Sequence, residues 1–204
     1  MLANRFIPFI LENHMKFLAA AGAAAALLSL SVHAAPDSYT VEPNHTIPRF
    51  SVNHLGFSTH VAQFSKTAGK ITLDIAAKTG SLDITILSAS FNGGGNEAFE
   101  KHVRGPDFFD AEKFPTMTYK STRFNFSGDN LASVEGEFTM LGVTKPLTLT
   151  LTGFRCGNHP FNKKAMCGAD ATAKLKRSEF GMKTFIPAVS DEITLMIQVE
   201  ALKD

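Results

Sequence analysis

From residue 37 onward, apolar and polar residues alternate along most of the chain. This period of two predicts β-strands with one buried face. About nine segments follow the pattern, and short turn sequences such as Leu141-Gly142 and Ser127-Gly128 separate them. The clearest segments are residues 49–54, 71–75, 82–86, 147–151 and 193–199.

Strands joined by short turns pair with their neighbours in antiparallel order. A sheet of this many strands tends to close on itself, because closure removes its unpaired edges. The predicted fold is therefore all-β, an antiparallel up-and-down barrel of about eight strands, whose interior is either packed or holds one small ligand.

Residues 93–105 interrupt the alternation and predict a short helix. The helix is expected to start after Asn96, a residue type that caps helix N-termini, because three glycines precede it and Glu97 and Glu100 suit the positive end of a helix. Gly105-Pro106 predicts its end. Its narrow apolar face suits a lid over an open end of the barrel.

A second candidate for a lid helix is segment 54–64. Its Phe57, Val61 and Phe64 are separated by four and three residues. This spacing places all three side chains on one face of a helix.

The N-terminal residues have the pattern of an export signal. Met15-Lys16 precedes an apolar stretch, and Val32-His33-Ala34 fits the small-x-small rule for cleavage after Ala34. The predicted organisation is an N-terminal extension and signal peptide, residues 1–34, followed by one domain, residues 35–204. We expect the domain to be periplasmic or secreted. Met1 and Met15 both stay candidate starts, and a retained N-terminal anchor is the alternative.

The charge balance of the chain gives no sign of a nucleic-acid-binding protein. Residues 35–204 contain 18 basic and 18 acidic residues, and no basic run or stripe predicts a nucleic-acid partner.

Cys156 and Cys167 are the only cysteines. After export we expect them to form a disulfide that closes a surface loop. A redox pair or metal site is the alternative, which their wide spacing disfavours.

Catalytic motifs are missing from the sequence. There is no G-x-S-x-G and no H-E-x-x-H, and the histidines lack the spacing of metal ligands. Asp107 and Asp110 flank two phenylalanines, and Asp110 is interpreted as the cap of the following turn. We therefore expect no enzyme, no catalytic cofactor and no metal.

Phenylalanine is the strongest compositional signal. The chain has 18 Phe, two Tyr and no Trp. Several phenylalanines lie outside the alternating segments, where an aromatic side chain still needs burial. The mouth or lid of a cavity provides that burial, whereas a packed, Phe-rich core is the alternative.

Four stretches carry a resemblance to the YceI-like family of exported proteins: VEPNHTIPRFSVNHLGFSTHVAQFSKTAGKI, GGGNEAFEKHVRGPDFFDAEKFPTMTYKST, GEFTMLGVTKPLTLTL and KLKRSEFGM. The chain resembles the family in order, spacing and composition over nearly all of residues 39–200. The opening segment of the family usually has a sequence closer to D-x-x-H-S-x-x-x-F. At this place the chain has Glu42, Asn44, His45 and Thr46. Segment 155–168 with its cysteines is a second departure. Neither departure is expected to touch the cavity.

The resemblance implies a lipocalin-like barrel with an internal tunnel for a polyisoprenoid lipid, either an isoprenoid quinone such as ubiquinone or a polyprenyl phosphate. The protein would then be a binding or carrier protein. Two other functions stay open: an enzyme acting on a hydrophobic substrate through His54 or His102, and a surface interaction protein with a packed barrel. Transient contact with a membrane or membrane enzyme and a homodimer also stay open.

The expected cavity combines inward strand faces with lid and loop residues. The residues assigned to ligand binding are Phe50, Val52, His54, Phe57, Phe64, Ile84, Ile86, Phe99, His102, Val103, Phe108, Phe109, Phe114, Met117, Tyr119, Phe138, Met140, Leu149, Met182 and Phe185. The candidate cations for a diphosphate head group are Lys101, Arg104, Lys145, Arg177 and Lys183. The candidate neutral donors for a quinone are Asn53, His102 and Tyr119.

Overall fold

The computed structural model describes residues 35–204, so the predictions for residues 1–34 lie outside the described residues. The elements are β1 (Asp37–Val41), β2 (Arg49–His54), β3 (Ser58–Phe64), β4 (Thr67–Asp74), β5 (Thr79–Leu87), β6 (Phe91–Asn92), α1 (Glu97–Arg104), β7 (Thr116–Ser127), β8 (Asn130–Met140), β9 (Val143–Asn158), β10 (Ala165–Lys176) and β11 (Glu192–Lys203). In this part of the chain, no helix is long and apolar enough to cross a membrane.

Eight of the strands form a closed antiparallel barrel, which confirms the predicted fold. Their order is β1, β4, β5, β7, β8, β9, β10 and β11, and β11 pairs with β1 to close the sheet. Neighbouring strands follow one another in the chain except around β1, which lies between β4 and β11. The barrel is therefore an up-and-down arrangement with one non-sequential seam.

Strands β2, β3 and β6 extend the sheet beyond the closed barrel. β2 pairs with the first half of β11 through Thr194–Met196, β3 pairs with β2, and the two-residue β6 pairs with the end of β3. Because β1 pairs with the last residues of β11, the one long strand β11 pairs with both β1 and β2. The extension stands beside one end of the barrel and forms a wall there.

The prediction of a lid helix at residues 54–64 is wrong, because this segment is the β2–β3 hairpin. Leu55 and Gly56 have φ angles of 59° and 77°, and the Phe57 N–H donates to the His54 carbonyl oxygen at 3.1 Å. Two central residues with positive φ make a type I′ turn, which matches the twist of paired strands. The helical spacing of the apolar residues is therefore coincidental.

The predicted strand faces are confirmed by the side chains that line the barrel interior. Alternate residues within 82–86, 147–151 and 195–199 point inward, as the period of two requires. These inward residues include Leu82, Ile84, Ile86, Leu147, Leu149, Leu151, Leu195, Ile197 and Val199.

A disulfide joins Cys156 of β9 to Cys167 of β10, which confirms the predicted pairing. The two residues face each other in the β9–β10 register. The segment between them is less of a loop than predicted, because β9 runs on to Asn158 and β10 begins at Ala165. The bond therefore clamps the outer end of a long hairpin.

Tyr119 fixes the packing between β7 and β8. Its side chain is buried, and its hydroxyl donates to the Val134 carbonyl oxygen at 2.9 Å. Burial, reinforced by the charge of Glu135, holds the pKa of Tyr119 well above its ordinary value. The ring lies against Gly136, where an added Cβ would approach Tyr119 Cζ to 2.5 Å and the Lys120 carbonyl oxygen to 2.6 Å.

Gly136→Ala should lower the free energy of unfolding by about 1–3 kcal/mol, because overpacking here forces a buried ring and a backbone oxygen to move. Urea denaturation followed by circular dichroism measures the change. Gly157→Ala on β9 is the matched control, since its Cβ would meet no atom within 4 Å. Equal stability of the two variants would contradict this account of the Tyr119 packing.

Candidate ligand-binding cavity

The barrel encloses an apolar cavity of about 180 Å³, here called the barrel cavity. Its wall comes from the inward faces of the barrel strands and from Phe50 and Phe64 of the extension. Among the polar residues on this wall, the Tyr119 hydroxyl already has a backbone partner. Arg49 lies at the edge with an exposed side chain that donates to Gln63 at 3.4 Å.

A second cavity of about 670 Å³ lies at one end of the barrel and is here called the mouth cavity. Its wall is made by β2, β3, α1 and the loop of residues 181–191. It holds most of the polar groups near the interior. These polar residues are His54, Ser58, His60, Asn96, His102 and Arg177.

The two cavities adjoin, because Phe50, Phe109, Met140 and Leu175 line both. Phe109 is buried at this junction, with its ring centroid 5.1 Å from that of Phe64 and 6.2 Å from that of Phe50. The arrangement is an apolar chamber and a more polar chamber that share one wall, with Phe109 at their junction.

Helix α1 covers the mouth cavity, at the position predicted for a lid. The Asn96 side chain accepts a hydrogen bond from the Phe99 N–H at 3.0 Å, so the predicted N-cap is confirmed. The Glu100 carboxylate accepts from the Gly93 and Gly95 N–H groups at 3.0 and 3.1 Å. One side chain therefore holds the glycine turn against the helix.

The underside of α1 is incompletely hydrogen-bonded. Among residues 35–204, the buried side-chain polar atoms without a partner are His60 Nε2, Arg104 Nε and Thr67 Oγ1. Arg104 belongs to α1, and the His60 ring stands edge-on to Phe99 of α1 at 5.3 Å. Unpaired buried groups regain hydrogen bonds when exposed to water or to a polar ligand. The Arg104 Nη2 atom still donates to the Phe91 carbonyl oxygen at 2.6 Å, so α1 is tied to β6 while these atoms beneath it stay unpaired.

Arg177 holds the opposite side of the mouth. The residue is 2% exposed, and its guanidinium donates to the carbonyl oxygens of Ser190, Met182, Thr184 and Val189 at 2.9, 3.2, 2.9 and 2.9 Å. Burial lowers its pKa, and the nearby charge of Asp191 opposes that shift. Four backbone contacts make Arg177 a structural support for loop 181–191.

Three rings line the mouth cavity beside α1. The His102 ring lies 5.3 Å from Phe108 and 6.3 Å from Phe185, and the two phenylalanine rings are 6.1 Å apart. Flat apolar faces at these distances suit the edge and face contacts of another ring.

The family model described as the YceI-like domain matches residues 39–201. The chain belongs to the YceI-like family. Protein YceI of Escherichia coli is 32% identical over 163 residues, which is 79% of this chain and 84% of the relative.

Solved structures of other proteins share the barrel. The Campylobacter jejuni YceI protein has a TM-score of 0.62 at 30% identity, over 74% of this chain and 90% of that one. A domain from Saccharophagus degradans described as polyisoprenoid-binding has a TM-score of 0.59 at 11% identity, over 81% of this chain and 98% of that one. At this low identity, the second likeness shows the fold alone.

Both departures from the family pattern reach the barrel cavity, so the expectation that neither would touch it is wrong. Thr46 and Cys167 line that cavity. The buried Thr46 hydroxyl donates to the Glu200 carbonyl oxygen and accepts from the Glu200 N–H, both at 3.1 Å. The unusual opening segment thus seals the wall between β1 and β2.

The structure brings nearly all the residues assigned to ligand binding to one of the two cavities. The exceptions are Phe57 and Phe114. Phe57 is 91% exposed at the tip of the β2–β3 hairpin, and the Phe114 ring lies against Gly142 and below Lys113. The binding role of the others stays a prediction.

Sequence reasoning missed His60 as a mouth residue. Once segment 54–64 is a hairpin, the period of two places Ser58, His60 and Phe64 on the inner face, and the signal was therefore present in the sequence. Asp110 also differs from expectation, since its backbone oxygen, not its side chain, accepts from Lys113 and Phe114.

A histidine and two carboxylates lie together outside the cavities. Glu42, His45 and Glu200 have ligand atoms within 4.8 Å of one another. The Glu42 carboxylate already accepts from the Asn44 and His45 N–H groups and lies 2.6 Å from His45 Nδ1. These contacts account for the cluster as a turn that leads from β1 toward β2.

Glu100→Ala should increase hydrogen exchange of residues 93–104 several-fold at neutral pH, because the glycine turn loses its acceptor and Arg104 loses its ion-pair partner at 2.7 Å. Hydrogen bonds from Gly93 and Gly95 hold the pKa of Glu100 below its ordinary 4.5, against partial desolvation. The stabilisation is therefore present above about pH 4.5 and is lost as pH falls through the lower folded pKa.

Mass spectrometry of exchanged peptides, corrected for intrinsic exchange rates, measures the effect. Glu97→Ala is the matched control, on the same turn of α1 without the bonds to the glycines. Unaltered protein should approach the Glu100→Ala rates as the pH falls. Equal exchange rates of residues 93–104 in the two variants would show that Glu100 does not hold the glycine turn and α1 in place.

Proposed function

We propose that the protein is an exported carrier of an isoprenoid quinone, which holds the tail in the barrel cavity and the head group in the mouth cavity without changing either. The observation that carries the proposal is the apolar barrel cavity that adjoins a mouth with polar and aromatic walls. The related domain described as polyisoprenoid-binding supports the ligand class. The predicted signal peptide and the disulfide support a periplasmic location.

The barrel cavity suits an isoprenoid tail because its wall is made of aliphatic and aromatic side chains. Removing such a tail from water contributes about 25 cal/mol for each Å² of apolar area buried. A polar chain would leave unpaired groups there, at a cost of several kcal/mol each. The wall therefore selects for an apolar chain over its whole length.

The mouth favours an uncharged head group. Among residues 35–204, Arg177 is the single lysine or arginine that lines the mouth cavity, and its guanidinium is committed to four carbonyl oxygens. The predicted cations Lys101, Arg104, Lys145 and Lys183 line neither cavity. A diphosphate would need several charge partners on entering such a site.

A quinone ring finds suitable groups in the mouth. His102, Phe108 and Phe185 offer ring faces, and the His60 Nε2 atom beneath Phe99 has no hydrogen-bond partner. Of the predicted neutral donors, the Tyr119 hydroxyl already donates to a backbone carbonyl oxygen, and Asn53 lines neither cavity. His102 and His60 are therefore the groups assigned to the quinone oxygens.

The two other functions have less support. A packed barrel would not contain the barrel and mouth cavities. An enzyme would need a mouth histidine with a carboxylate partner. Among residues 35–204, His45 is the single histidine with a ring nitrogen within 4 Å of a carboxylate oxygen. His45 lines neither cavity.

Ala171→Phe should weaken quinone binding by at least about tenfold, because a ring in the barrel cavity removes roughly 100 Å² of apolar contact from the tail. Binding is measured by native mass spectrometry and by tritiated ubiquinone uptake. Thr150→Phe is the matched control, since Thr150 is exposed on the outer face of the neighbouring strand β9. Unchanged binding in a folded Ala171→Phe protein would place the tail elsewhere.

Phe185→Lys should raise the affinity for a polyprenyl phosphate by about tenfold, because it adds a charge partner at the mouth. Unaltered protein should prefer ubiquinone to a polyprenyl phosphate of equal chain length in competition. Phe161→Lys, at the tip of the β9–β10 hairpin, is the control. A stronger preference of unaltered protein for the phosphate would refute the uncharged head group while leaving the lipid carrier in place.

A further inference from the structure

The barrel end that carries the mouth cavity also exposes a set of large apolar side chains, here called the apolar rim: Leu55, Phe57, Phe99 and Phe185. Phe57 is 91% exposed, Phe185 54%, Leu55 53% and Phe99 37%. Phe99 and Phe185 line the mouth cavity, and Phe57 adjoins Ser58, which lines it too. Single exposed apolar residues are ordinary, whereas a group of them around a cavity indicates an interaction surface.

The rim is held in position by backbone bonds. The Leu55 N–H donates to the Ala188 carbonyl oxygen at 2.7 Å, and the Ser190 N–H donates to the Asn53 carbonyl oxygen at 3.0 Å. These bonds join the β2–β3 turn to loop 181–191, which Arg177 supports. Phe57 is thus presented to solvent by a fixed hairpin.

The partner follows from the chemistry of the cargo, so this inference rests on the proposed function. A polyisoprenoid lipid resides in bilayers, and passage of its tail through water would expose the whole apolar chain. That exposure is avoided when the mouth touches the bilayer during transfer. Phe99 and Phe185 of the rim line the mouth cavity, and Leu55 and Phe57 adjoin its lining residues His54 and Ser58, so the rim lies where direct transfer requires it.

We propose that the apolar rim docks on the surface of a phospholipid bilayer and inserts Phe57 at the boundary between head groups and acyl chains. Apolar side chains bury there to a depth of about 5–10 Å. The lipid then passes between the bilayer and the mouth cavity without crossing water.

The absence of tryptophan from the chain allows a direct test. Phe57→Trp and Phe161→Trp each introduce one fluorophore at a site that is 91% or 88% exposed. Phe161 precedes β10, whose other end leads into Arg177 at the mouth, so the control lies at the opposite end of the barrel. Each protein is mixed with phosphatidylcholine vesicles that carry brominated acyl chains.

Docking predicts a blue shift and bromine quenching for the tryptophan at position 57, with little change at position 161. Equal quenching at both sites, quenching at position 161 alone, or quenching at neither would overturn the inference. The result does not depend on the cargo, because the vesicles contain no quinone.

A second measurement separates this inference from the proposed function. Phe57→Ser should slow ubiquinone uptake from vesicles by about tenfold, since one anchoring side chain is lost, while equilibrium binding in detergent solution stays unchanged. If unaltered protein binds no quinone in either setting, the carrier function fails. If it binds quinone and the variant takes it from vesicles at the unaltered rate, the docking surface fails.

Discussion

The barrel depends on one seam, where the short strand β1 pairs with β4 on one side and with β11 on the other. The last residue reinforces it: Asp204 accepts hydrogen bonds from the Ser38 hydroxyl at 2.6 Å, from Thr40 and from Lys70 Nζ at 2.9 Å. These bonds hold the pKa of Asp204 well below its ordinary value. Without the seam the sheet would keep two free edges, and the barrel cavity would open sideways.

Closure of the sheet also decides where polar chemistry can lie. In a closed barrel every second residue faces one shared interior, and a polar group there needs a partner that the walls rarely supply. Tyr119 meets this condition by bonding to the backbone. Thr46 also bonds to the backbone, and most other polar groups near the interior lie at the mouth, where β2, β3 and α1 leave room for ligand or water. The division into two chambers is thus a consequence of the fold.

The sequence was sufficient for the barrel, the strand faces, the capped helix and the disulfide, because each depends on local patterns: alternation, Asn96 with its glycines, and two cysteines. It was insufficient for segment 54–64, where apolar residues fit both helical and strand spacing and the positive φ of Leu55 has no local signal. Because of that error, Phe57 was assigned to the cavity wall, and His60 was not recognised as a residue of the mouth cavity. The four carbonyl oxygens that accept from the Arg177 guanidinium were also beyond prediction, since they belong to an irregular loop whose backbone path no periodic pattern indicates.

The two sides of the mouth differ in how completely their buried polar groups are hydrogen-bonded. Arg177 binds loop 181–191 through four carbonyl oxygens, and that loop in turn fixes the β2–β3 hairpin. Across the cavity, α1 follows a glycine turn that Glu100 secures, and its underside leaves His60 Nε2 and Arg104 Nε unpaired. Unpaired atoms gain partners on exposure, which offsets part of the cost of moving α1. Under the proposed function, we therefore expect α1 to be the side of the mouth that moves when a lipid enters.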